Sequence, residues 1–366
     1  MAESSLQTGG PRGESLLSAQ RGRGPHPLGL FLAMAIRRTA GDRDRLKAVL
    51  QGVRRYQEAP LPAAMPESPV VARRGTVHLR RVAGPEDGPV VVVVPSLINA
   101  AVVLDLAPGR SLVRYLAEQG NRVLMIDWGP LGPGERRLGF AGLVTQRLVP
   151  LIRTLDRPAH LLGYCLGGTL TLAAAQCLGK RARSLALLAA PWHFSGYSSE
   201  VRTHALGVWG MIRPVAERLG AMPVSLLNPL FWSLGEDAVV NKFEKLAAYP
   251  ADDPHIGWFA AVEDWTNSGA PLSRASARDL FLRGYGADLF GQGRWKVGGT
   301  LIRPEDLSCP VADFVARNDR IVPPSARIRL ASADKFEVGS GHVGMIVGRD
   351  APQTLWQPLS NWFASR

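Results

Sequence analysis

The sequence predicts an α/β protein: a mainly parallel, doubly wound sheet with a helical cap inserted in its second half. Three observations carry that reading. Strand and helix patterns alternate from residue 70 to about residue 190 and resume at Val311, as expected of parallel strands joined by helical crossovers. Val90–Val94 is five valines in a row, the run of a strand buried on both faces. Between residues 191 and 300 the rhythm breaks, and Trp, Phe, Tyr, Pro and Gly accumulate around helical patches such as Asp237 to Leu246.

Taken in order, residues 1–25 are rich in Gly, Ser and Arg and read as a disordered tail. Residues 26–66 form a helical segment and linker. Leu28, Phe31, Leu32, Ala35 and Ile36, then Leu46, Val49, Leu50 and Val53, recur at helical spacing, and Pro60 and Pro62 close the segment. A helical pair packed on the domain is the preferred reading; a surface helix for a partner or a hydrophobic particle is the other. Residues 67–190 hold the first part of the sheet, with strands at 70–71, 76–79, 90–94, 123–126 and 185–188. Helices are expected at 111–119 and 140–155. The cap occupies 191–300. Its aromatic residues read mostly as cap core, with some available to line an acyl channel. Residues 301–366 complete the sheet, with a strand at 311–316, a helix after Pro324, a strand at 335–338, and a last helix carrying Leu355, Leu359, Trp362 and Phe363.

Composition narrows the function. Hydrophobic residues make up 46% of 366, enough for a large core, and 43 basic against 31 acidic residues give a net charge of +12. A basic balance suits nucleic acid, an anionic membrane or an anionic small substrate. Zinc-finger spacing and RNP-like aromatics are absent, so nucleic acid is not expected. Three widely spaced cysteines argue against a disulfide framework and for a reducing compartment. The apolar run from Leu28 to Ile36 is too short to span a bilayer, so no transmembrane segment is expected. Neither phosphate-binding glycine fingerprints nor paired metal-ligand motifs occur, so no cofactor and no metal is expected.

The chemistry centres on Gly163-Tyr164-Cys165-Leu166-Gly167-Gly168. A strand precedes it and a good helix former follows, which is the nucleophile-elbow pattern G-x-S-x-G with Cys in place of Ser. At a helix N-terminus the positive end of the dipole favours the reactive thiolate. The Leu166 N–H points where an oxyanion would form. Cys177 and Cys309 lack the glycine frame and read as structural. Asp319 follows the strand at 311–316, and His342 follows the last strand among small residues. Cys165, Asp319, His342 is the nucleophile–acid–base order of an α/β-hydrolase layout. His193, opening the cap, is the main competitor for the histidine. The second oxyanion donor is expected from the loop after the valine strand, at the Leu97 N–H, with Ile98 as the competitor.

These residues resemble the polyhydroxyalkanoate synthases, and in length the short synthases that work with a separate subunit. The likeness rests on the box Gly163–Gly168, on Pro95-Ser96-Leu97-Ile98-Asn99, on Asp319-Arg320-Ile321-Val322-Pro323 and on Gly339-Ser340-Gly341-His342-Val343. It departs where the family has Pro-Pro before Leu-Ile-Asn and a Pro-Leu-Asp-Phe-like run after the elbow; here stand Pro95-Ser96 and Pro191-Trp192-His193-Phe194. The resemblance implies an α/β-hydrolase fold and polymerisation of 3-hydroxyacyl groups from acyl-CoA through a thioester on Cys165, with CoA released. It implies a hydrophobic polyester product, a second synthase subunit or a homodimer, and a cytoplasmic place at the surface of polyester granules. It also implies that His342 deprotonates Cys165 and that Asp319 activates the incoming hydroxyl. Orienting His342 is the competing role for Asp319. An esterase, thioesterase or depolymerase on the same fold is the alternative activity.

Overall fold

The computed structural model of the chain describes residues 23–366. Eight strands form the main sheet: β1 (Val70–Arg74), β2 (Val77–Ala83), β3 (Val90–Val94), β4 (Arg122–Asp127), β5 (Ala159–Tyr164), β6 (Ala182–Leu188), β7 (Val311–Ala316) and β8 (Asp334–Val338). Their order is β1-β2-β4-β3-β5-β6-β7-β8. The six strands from β4 to β8 are mutually parallel; β2 runs antiparallel to β4, and β1 antiparallel to β2. The five valines of β3 are all 0–1% exposed, as their unbroken apolar run requires.

Chain order reverses at β3: the next strand, β4, lies on one side of it and β5 on the other. The carboxyl ends of β3 and β5 therefore flank a topological switch point, where open α/β sheets place their ligands. The described helices include α1 (Leu28–Thr39), α2 (Arg43–Glu58), α3 (Leu112–Glu118), α4 (Leu166–Leu178), α5 (Ser199–Leu219), α6 (Asn228–Ser233), α7 (Glu236–Ala248), α8 (Pro254–Asn267) and α9 (Gln357–Ala364). A further helical run lies between β4 and β5, made of Phe140–Leu143, a π-helical stretch Val144–Leu148, and Val149–Ile152. Ser111 caps α3 by accepting from the Arg114 N–H at 3.0 Å.

Everything from α5 to α8 falls between β6 and β7, so the insertion is helical as expected. It also carries two short ribbons, Ala221–Met222 with Leu272–Ser273 and Lys296–Val297 with Thr300–Leu301. Asp288 fixes where the cap leaves the sheet. Its buried carboxylate accepts from the Phe194 and Ser195 N–H groups at 2.8 and 3.0 Å.

The N-terminal helices pack on the cap. Phe31, Val49, Val53 and Tyr56 join Val240, Phe243, Leu246 and Ile256 in a hydrophobic cluster apart from the main core. Arg37 pairs with Glu236 at 2.6 Å and Arg45 with Glu244 at 3.0 Å, stitching the pair to α7.

Two expectations need correction. Residues 1–22 of the expected disordered tail lie outside the described residues, but Arg23, Gly24 and Pro25 are buried. Arg23 donates to the Ala59 carbonyl at 2.8 Å, pairs with Asp264 at 2.9 Å and lies over the Tyr56 ring, so those interactions hold the segment. The helix expected after Pro324 is a single 3-10 turn, Pro324–Ala326. The Ala326 carbonyl accepts from the Trp192 and His193 N–H groups at 2.7 and 2.9 Å, so it serves the root of the cap rather than a further helical turn.

Candidate functional site

Cys165 stands between β5 and α4 with φ of 53°, a left-handed conformation that a non-glycine residue adopts only when its surroundings impose it. The packing here leaves no slack. A Cβ on Gly163 would lie 2.4 Å from the Gly168 Cα, and one on Gly167 would lie 2.3 Å from the Pro95 oxygen. Small residues at these positions let the elbow close onto the end of β3. Leu166 opens α4, so its N–H has no intrahelical acceptor, and Leu166 lines the cavity above Cys165.

Asp319 and His342 come from the loops after β7 and β8. Nδ1 of His342 lies 2.6 Å from Oδ2 of Asp319, and both side chains are almost wholly buried. Oδ1 of Asp319 accepts from the Ile321 and Val322 N–H groups at 2.8 and 2.9 Å, so both carboxylate oxygens are engaged. The His342 ring stacks on Tyr164 with centroids 5.1 Å apart and lines the same cavity as Cys165. Burial disfavours the imidazolium, but the charges of Asp319 and Cys165 and the hydrogen bonds to them outweigh it, and the His342 pKa is raised. The three residues, separated by up to 177 positions in sequence, thus meet at one point. His193 does not line the cavity.

The cavity measures about 210 Å³ and lies between the elbow and the cap. Phe194, Leu230, Phe231 and Leu280 give it apolar walls, while Tyr197, Tyr285 and the Lys242–Glu263 pair (2.6 Å) add polar groups. Burial pushes the phenols of Tyr197 and Tyr285 above their usual range, with the nearby Cys165 and, for Tyr197, Asp319 adding to it. Pro25 closes part of the wall.

The Leu-Ile-Asn loop performs a structural task that its sequence does not announce. The Asn99 side-chain amide donates to the carbonyls of Trp265, Thr266 and Ser268 at 3.1–3.3 Å, at the end of α8. Trp265 Nε1 returns a bond to the Ala100 carbonyl at 2.7 Å. The loop is therefore tied to the cap. Ser96, Ile98 and Asn99 line the Cys165 cavity, whereas the Leu97 side chain lines a separate small cleft beside Trp128. Only the Leu97 backbone is left as a donor from that residue; the Ile98 N–H faces Ser96 Oγ at 3.4 Å.

Tyr197 is one of the cap aromatics the sequence offered for a channel lining, but sequence reading missed Tyr285, Lys242 and Glu263. No spacing links them to Cys165, because they reach the cavity from separate cap segments. Among the described residues no group of three or more His, Cys, Asp or Glu could hold a metal ion, and no helix is long and apolar enough to cross a membrane.

Comparison with known proteins agrees with this architecture. The chain is 27% identical over 290 residues to the poly(3-hydroxyalkanoate) polymerase subunit PhaC of Haloferax mediterranei, covering 75% of this chain and 58% of that protein. It is 24% identical over 295 residues to the protein of the same name from Haloarcula marismortui, covering 77% and 62%. The subunit from Allochromatium vinosum is 26% identical over 299 residues, covering 77% and 82%. The chain thus spans less than two thirds of the first two relatives. The model of the alpha/beta hydrolase family matches residues 91–355, from the valine strand to the last helical run. A match of that extent, on a sheet whose strand order reverses beside the elbow, makes this chain a member of the alpha/beta hydrolase family.

Proposed function

We propose that the chain is an acyltransferase of the polyhydroxyalkanoate synthase type, which takes 3-hydroxyacyl groups from acyl-CoA onto Cys165 and releases CoA. The observation that carries this is a cysteine at the elbow, in reach of a histidine whose far nitrogen is held by a buried carboxylate. The likeness to poly(3-hydroxyalkanoate) polymerase subunits supports the substrate class. In the first step the Cys165 thiolate attacks the thioester carbonyl, the Leu166 and Leu97 N–H groups receive the oxyanion, and the CoA thiolate leaves with a proton from His342. Thioester exchange for thioester is near balance, so the acyl group stays activated. In the second step His342 takes the proton of an incoming hydroxyl, which attacks the acyl-Cys165 carbonyl; the C–S bond breaks, the ester forms, and the Cys165 thiolate leaves beside the protonated His342.

Asp319 orients His342 in this scheme. Its Oδ2 holds the imidazole and its Oδ1 is occupied by two backbone N–H groups. That occupancy favours the orienting role over the direct activation of the substrate hydroxyl that the resemblance suggested. The relatives are named subunits, which supports an assembly of more than one chain. An insoluble polyester product would hold that assembly at a granule surface.

The test supplies 3-hydroxybutyryl-CoA and follows both CoA release and the product. Insoluble polyester with CoA is the expected result. CoA with free 3-hydroxybutyrate would instead make the protein a thioesterase.

A further inference from the structure

Next to the Cys165 cavity lies an outer cleft of about 670 Å³, and Lys242 and Glu263 line both. Arg110 and Arg349 stand in this cleft with Trp258, Tyr249 and His255. The Arg110 guanidinium lies 4.3 Å from the centre of the Trp258 ring and uses one nitrogen to donate to the Val347 and Gly348 carbonyls, at 3.0 and 2.8 Å. Among the described residues neither Arg110 nor Arg349 forms an ion pair with a carboxylate, whereas neighbouring Arg114 is paired with Asp105 at 2.9 Å. Burial, and then the charge of Arg349, pulls the Arg110 pKa below its usual range, so the two cations repel each other. Asp253 and Asp350 also line the cleft, and an Asp253 oxygen is engaged by the His255 N–H at 2.8 Å. Tyr249 and His255 stack with ring centroids 4.7 Å apart, giving a flat aromatic shelf.

Two adjacent guanidiniums that no carboxylate pairs suit a phosphorylated anion, which they can meet with paired N–H donors. Flat rings beside them suit a purine base. We propose that this outer cleft holds the phosphorylated adenosine end of the thioester substrate. Arg110 and Arg349 take the phosphates, and the aromatic residues pack on the base. The linking arm runs past Lys242 and Glu263 to the thioester at Cys165. The assignment rests on the acyl-CoA reading given above and locates the anionic end of that substrate.

The probe is adenosine 3′,5′-bisphosphate, titrated calorimetrically into the full chain, with uncharged adenosine beside it. The wild type is expected to bind the bisphosphate more tightly than adenosine, with affinity falling as salt rises. Arg349→Gln and Arg110→Gln should each weaken bisphosphate binding about tenfold, the loss expected for a charge-assisted hydrogen bond. Arg213→Gln, on the exposed face of α5, removes the same charge elsewhere and should leave binding unchanged. Arg349 is exposed, so its variant tests the cleft even if Arg110→Gln disturbs the turn at residues 347–348. No binding by the wild type, or equal binding by wild type and Arg349→Gln, would overturn the assignment. CoA release from a short acyl-CoA is read separately. Turnover without bisphosphate binding rejects the cleft alone; bisphosphate binding without turnover rejects the synthase reading and leaves a nucleotide site.

Discussion

The floor of the cavity is built around one short stretch, residues 163–168, set on the end of the valine strand and joined by the loops of Asp319 and His342, while its roof draws on residues as far apart as Pro25 and Tyr285. In the floor, backbone meets backbone: Gly167 lies against Pro95 and Val94, Gly163 against Gly168, and Cys165 is held at positive φ. In the roof the contacts are made by side chains, several of them through single hydrogen bonds to backbone carbonyls such as Trp265 to Ala100. A floor of that kind fixes the position of one atom. A roof of this kind sets the volume and polarity around it and can change by substitution without moving that atom.

The largest expected effect is on the floor. Cys165→Ala should lower acyl transfer about a thousandfold or more, while the melting temperature stays near that of the wild type, because Ala keeps the backbone and removes only sulfur. An active Cys165→Ala protein would place the chemistry elsewhere. Asp319→Asn should slow the rapid CoA burst and steady turnover together, by about a hundredfold or more, because the wrong imidazole tautomer is favoured. A full burst followed by arrested turnover would return Asp319 to hydroxyl activation.

A pair of glycine substitutions compares the two regions directly. Gly167→Ala drives a methyl group against two carbonyl oxygens and should cost about 3 kcal/mol or more in denaturant unfolding. Gly207→Ala lies in α5 of the cap with open space around it and should stabilise by about 0.5–1 kcal/mol. Equal effects would erase the distinction.

A further test concerns the sheet away from the cavity. Burial raises the Asp313 pKa to about 7, against the opposing charges of Arg327 and Lys335, and its Oδ2 has no hydrogen-bond partner. The folded protein therefore holds this proton more tightly than the unfolded chain. Stability should fall as pH rises from about 4 to about 7 and stay lower above that range. Asp313→Asn should remove this slope and gain about 1–3 kcal/mol at pH 8, with little gain at pH 4, as read from urea midpoints at both values. An unchanged slope would mean that another group sets it.

The floor was legible in the sequence because its constraints are local. The valine run, the glycines at 163, 167 and 168, and the placement of Asp319 and His342 after apolar strands each carry a physical reason within a few residues. The roof was not. Asn99 could be singled out as part of a motif, but its three carbonyl partners lie more than 160 positions away. The missing helix after Pro324 has the same origin, since the cap root claims the Ala326 carbonyl from over 130 positions upstream. Arg23 read as tail because its partners, Ala59 and Asp264, give no sign of it in the flanking sequence.

The hydrophobic cluster shared by α1, α2, α7 and α8 has a consequence for the order of assembly. Arg45 and Glu244, which meet across it, are 199 positions apart. During synthesis α1 and α2 leave the ribosome before α7 and α8, so the faces of Phe31, Val49, Val53 and Tyr56 find their partners only after about two hundred more residues have followed. At a typical elongation rate of roughly 5–20 residues per second, that is a wait of about ten to forty seconds. A chaperone that masks apolar helices would have a long opportunity on this protein at α1 and α2.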